Sequence, residues 1–139
     1  MTLEKFRIVH STLIEHYQFI ESHLEGIYAA ISDKNLIEGL KEVEKDGLTG
    51  ILREIKQVER EKKFSVFTGD EYEQLRKIFQ RRNVWCHSCY LEIPFDLKTG
   101  GPAKISDAQK MLEDLETAEK WRQRLFDKKI EMLKKNEKI

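Results

Sequence analysis

Proline occurs twice and glycine seven times in these 139 residues, so little in the chain forces it to turn or break. Cysteine is as scarce as proline. Two thiols, Cys86 and Cys89, are too few for the disulfide framework of a small secreted scaffold. Net charge is also missing. The 25 basic residues balance 25 acidic ones, so no global field draws the protein to nucleic acid, and any such binding needs a local patch. No apolar run approaches the length of a membrane span. The N-terminus, MTLEKFRIVH, is charged from Glu4 onward and carries no apolar export segment. These absences predict a soluble, cytoplasmic protein with reduced thiols and no membrane partner.

What is present favours helices. Charged residues make up 36% of the chain, and Glu, Lys, Leu and Ile dominate. At this length one domain, residues 1–139, is expected, with a single core that buries roughly two thirds of the unfolded surface. Leu3, Phe6, His10, Leu13, Tyr17, Ile20, Leu24, Ile27 and Ile31 recur at alternating three- and four-residue spacing. That seam predicts one helix of about 29 residues, roughly 43 Å long. Thr2 is its expected N-cap, and SDKN at 32–35 ends it. Leu36, Leu40 and Val43 form a short stripe that Leu48, Ile51, Ile55 and Val58 resume beyond Asp46-Gly47. Gly39, Gly47 and Gly50 each weaken a helix by about 1 kcal/mol relative to Ala. The pattern predicts a short helix, a break and a second helix to about Lys62, with a single kinked helix as the alternative.

Thr68 with Glu71, or Asp70 with Glu73, forms a capping box for the next helix. Tyr72, Leu75, Phe79, Cys86, Tyr90 and Ile93 mark one face of it, and Pro94 ends it after about Glu92. TGGP at 99–102 is turn chemistry. Ser106 and Gln109 suggest a further capping box, opening a last helix to about Lys135. Its inner face is Met111, Leu115, Ala118, Leu125 and Met132, widened by Leu112, Trp121 and Phe126. The expected fold is all-α: an antiparallel up-and-down bundle of four main helices plus a possible short extra helix.

The chemistry concentrates in RRNVWCHSCY, residues 81–90. WCHSC has the outline of a thioredoxin-type site, but such a site opens a helix behind a buried strand. Here the preceding EYEQLRKIFQRRNV is helical and polar. Structural zinc needs four ligands, and this chain has one cysteine pair. His10, His16 and His23 would have to complete the set, and His16 and His23 lie beside the first helix's seam. The two thiols are therefore read as filling core gaps beneath Phe79 and Tyr90, with no metal and no cofactor. Arg82 and His87 remain. Asn83, His87 and Tyr90 follow i, i+4, i+7 and share a strip of the helix. Arg82 lies one residue round, and its long side chain can reach a phosphate near the His87 imidazole.

On these residues the chain resembles the HEPN superfamily, whose motif is an arginine, often followed by asparagine, and a histidine beyond four intervening residues. Arg82-Asn83-x-x-x-His87 matches it, late in the third main helix of a small all-α chain. Tyr90 comes three residues after the histidine, where HepT-type toxins usually place a tyrosine two after. The resemblance covers the domain's length and helix order, with sequence detail mainly at 75–93. It implies a metal-independent endoribonuclease related to toxins or host defence. It assigns His87 as general acid/base and Arg82 as transition-state stabiliser, with Asn83, Tyr90 and Arg81 supporting them. It implies a homodimer with a shared cleft where Arg76, Lys77, Arg81 and Arg82 concentrate charge for RNA. Trp85 is read as packing before base stacking. An antitoxin or other partner protein is possible. The alternative is a catalytically inactive HEPN-like module that binds a nucleotide or partner protein.

Overall fold

The computed structural model describes residues 1–139. Its first helix, α1 (Leu3–Ile31), has the predicted bounds and cap, with the Thr2 side chain accepting the Lys5 amide. Asn35 caps α2 (Leu36–Val43) by accepting the Glu38 amide. Gly47, at φ 69°, then turns the chain into α3 (Gly47–Lys62), so the break yields two helices and not one kinked helix. Gly39 has its own reason. A Cβ there would lie 2.9 Å from the Ala29 Cα, because α2 crosses α1 at backbone contact.

The Thr68–Glu71 capping box opens α4 (Gly69–Asn83). That helix continues through a π-helical turn, Val84–Ser88, into a last α turn, α5 (Cys89–Glu92). The connection to α6 (Ile105–Lys135) folds over the start of α1, where the Leu3 amide donates to the Thr99 carbonyl at 3.1 Å. The predicted Ser106 capping box does not form. α6 starts at Ile105 without a side-chain cap, and Ser106 lies inside its first turn.

Consecutive helices reverse direction, and short as it is, α2 supplies a full reversal. The outer two long helices, α1 and α6, therefore run parallel. His16 pairs with Arg122 and His23 with Lys129, both at a sequence separation of 106, and Ala29 meets Lys138 beyond them. This pair shares the largest interface of the bundle, so the antiparallel expectation holds between sequence neighbours and not here. One core of 31 buried residues runs through all the long helices, with Phe6, Ile20, Ile55, Leu75 and Leu125 at its centre. No helix is long and apolar enough to cross a membrane.

His23 departs from its expected place beside the seam: it is 6% exposed, and its Nδ1 accepts from Lys129 Nζ at 3.0 Å. Burial, then the Lys129 and Arg122 charges, holds its imidazole down from 6.5 to about 4. The unfolded chain takes up this proton more readily, so the contribution to stability is complete above pH 6.5. It is lost as pH falls toward 4. Over that window the wild type should lose on the order of 1–3 kcal/mol more than His23→Gln, which keeps an acceptor for Lys129 but does not titrate. Urea melts at both pH values check this, and equal losses would contradict it.

Candidate functional site

The π turn shapes the site, and Trp85 anchors the turn. This residue is 1% exposed, and its indole N–H donates to Asp114 Oδ2 at 2.8 Å. Its carbonyl lies 2.7 Å from His10 Nε2. A carbonyl only accepts, so His10 Nε2 carries the proton and Nδ1 is the free ring nitrogen. Trp85 is thus a packing residue and offers no surface for base stacking.

A π turn takes more residues per turn than an α-helix, so the i, i+4, i+7 strip expected for Asn83, His87 and Tyr90 does not persist through it. Tyr90 is the casualty. It is 63% exposed, stacks on Phe95 at 5.2 Å, edge-on to Phe6 at 6.0 Å, and does not line the cleft, although its ring lies 6.3 Å from that of His10. The inward positions expected for Cys86 and Tyr90 belong instead to Trp85 and Cys89.

Arg82 and His87 do come together. With His10, Gln18, Glu21 and Cys86 they line an open cleft of about 370 Å³ between α1 and the π turn. The His87 side chain is exposed. Arg82 Nη2 lies 4.0 Å from Glu21 Oε2, and its Nη1 donates to the exposed Asn83 Oδ1 at 3.5 Å. Asn83 touches Arg82 but does not line the cleft.

Arg81 is not free for substrate. Its Nε donates to the buried Asp114 at 2.7 Å, and its guanidinium lies 5.7 Å from the Trp85 ring centre. Lys110 approaches the other Asp114 oxygen at 3.4 Å. Lys77 lines a separate cavity beside Asp114, and Arg76 pairs with Glu73. Of the four basic residues near the motif, Arg82 alone faces the cleft.

Both cysteines are free thiols: Cys89 is buried, and Cys86 is half-buried on the cleft wall. Burial pushes both thiols above their ordinary range, and the Arg82 charge only partly offsets this at Cys86. Neither has the thiolate character that redox chemistry uses. No three His, Cys, Asp or Glu side chains converge as a metal site requires.

Asp114 and His10 escaped the motif-based assignment. Asp114 interrupts the apolar stripe between Met111 and Ala118, a signal that was readable. The place of His10 on the cleft wall depends on the π turn, which periodicity does not reveal. The cleft offers two imidazoles, a guanidinium and one carboxylate, a set suited to holding a phosphate and moving a proton beside it. Fold and site thus define an all-α bundle with an arginine–histidine cleft. Comparison of the chain with protein-family models, curated proteins and solved structures finds no match in any of the three.

Proposed function

We propose that this chain is a metal-independent endoribonuclease of HEPN type, cytoplasmic and related to toxins or host defence. The observation that carries the reading is that Arg82 and His87 line one solvent-open cleft. RNA supplies its own nucleophile: the ribose 2′-oxygen attacks the adjacent phosphorus, leaving a cyclic phosphate and a 5′-hydroxyl. His87 transfers protons, and the Arg82 guanidinium holds the extra negative charge on phosphorus. Asn83 steadies Arg82 from outside the cleft. Purified protein incubated with RNA tests the reading, and intact RNA at every pH tried would reject it.

The active species is a homodimer with a shared cleft. Two observations support this. Glu21 offsets the cleft's one guanidinium, so a single protomer presents little net positive charge. Tyr90 and Leu91, directly after the π turn, are 63% and 89% exposed, an apolar surface that a self-complementary contact would cover. Light scattering at micromolar concentration should give the dimer mass. A concentration-independent monomer would sink the shared cleft.

Glu21 also favours the rival reading, in which the cleft binds a nucleotide or a partner protein, an antitoxin for example, without cutting. The carboxylate occupies the guanidinium that a transition state would need. Binding of RNA without cleavage is the result expected of that module.

A further inference from the structure

The cleft holds a histidine outside the arginine–histidine motif. We infer that His10 is the proton acceptor of this site, so that one protomer carries both the base and the acid for cutting a ribonucleotide phosphodiester. The inference rests on the nuclease reading above.

His10 sits at a half-buried position of the α1 seam, where leucine would pack better. Its ring is held on two sides. It stacks on Phe6 with centroids 5.6 Å apart and planes 16° from parallel, and its Nε2–H is tied to the Trp85 carbonyl at 2.7 Å. An imidazole with one nitrogen committed to a carbonyl has a fixed tautomer and offers the other nitrogen as a base. That free nitrogen is Nδ1. His87 occupies the facing wall, on the π turn. The two imidazoles thus come from different elements that meet at one cleft, which supplies a separate base and acid.

His10 Nδ1 takes the proton of the ribose 2′-hydroxyl, and the 2′-oxygen bonds to phosphorus. The bond from phosphorus to the 5′-oxygen breaks, and that oxygen takes a proton from the His87 imidazolium. Arg82 pairs with the non-bridging oxygens throughout. One imidazole ends protonated and the other neutral, and exchange with water restores both. The groups facing His10 are Arg82 and Glu21 across the cleft, the Cys86 and Cys89 thiols, and the Tyr17 and Tyr90 phenols.

The test compares wild type, His10→Gln and His87→Ala on an RNA oligonucleotide across pH 5–9. Glutamine places an amide N–H where Nε2–H was, so it keeps the donor to Trp85 and lacks the base. The wild type should show a bell-shaped profile. His10→Gln should cut about a hundredfold more slowly and lose the acidic limb of that profile, while melting like the wild type. Wild-type cleavage by His10→Gln, with His87→Ala inactive, would overturn this inference and leave the nuclease reading standing. A second measurement on the wild type follows both imidazole resonances by NMR as uridine 3′-monophosphate is added. Movement of both supports a two-histidine phosphate site even in a protein that does not cut, which would end the nuclease reading alone. A stationary His10 resonance in such an inert protein would overturn both.

Discussion

His87→Ala and Arg82→Ala should each cut RNA about a hundredfold or more slowly than the wild type, yet unfold at nearly the same urea concentration. The first half follows from the chemistry assigned to them. Loss of a positioned acid/base, or of the one guanidinium facing the cleft, removes transition-state stabilisation of that order. The second half follows from their surroundings. His87 is exposed, and Arg82, half-buried, holds a 4.0 Å ion pair with Glu21, a long contact to Asn83 and a contact with the Cys86 thiol. Such surface groups contribute less than about 1 kcal/mol. EDTA should leave the wild-type rate unchanged, because no proposed step uses a metal. The cut ends should carry a cyclic or 3′-phosphate, and a 2′-deoxy sugar at the cut site should block cleavage. Undiminished cleavage in both variants would refute the assignment. Variants that melt would show that the pair is structural. Arg81→Ala supplies the contrast: with Asp114 as its partner, it should lower stability.

The helices were legible because their signals are local. The α1 seam, the Thr2 cap, the Asp46-Gly47 break, the Thr68–Glu71 box and Pro94 each act within a turn or two, and each places a boundary where the structure has it. The parallel pairing of α1 and α6 was not legible in the same way. It depends on whether an eight-residue segment makes a full reversal, and that segment returns along α1 with Gly39 close against the Ala29 backbone, a contact between residues ten apart. The site shows the same division. Arg82 and His87 were read correctly as neighbours because they are close in sequence. Tyr90 and Arg81 lie elsewhere than the motif implied because their environments are set by distant residues: Phe6 and Phe95 for the first, Asp114 for the second. A π turn adds the remaining error, since helical periodicity assumes a constant number of residues per turn.

Asp114 is where a single substitution should do the most damage to the fold. Its carboxylate is 7% exposed and collects the Arg81 and Trp85 donors on one oxygen, with Lys110 near the other. Asp114→Ala would leave a buried indole N–H with no acceptor and a partly buried guanidinium with no counter-charge. Each orphaned group carries its own desolvation penalty, so the loss should reach roughly 2–4 kcal/mol, on the order of 10 °C in melting temperature. Asp114→Asn keeps an acceptor for Trp85 and should lose about half as much. Because Trp85 anchors the π turn, cleavage should fall in Asp114→Ala even at temperatures where the protein stays folded. Arg81→Met combined with Asp114→Leu and Trp85→Phe removes donors and acceptor together. It should recover much of the stability, since apolar groups of similar size can replace a buried ion pair with little net loss. Activity should recover less, because phenylalanine does not tie the π turn to α6. Thermal melts and RNA cleavage on the three proteins separate the two effects. An Asp114→Ala variant as stable as the wild type would show that the π turn is held by packing alone.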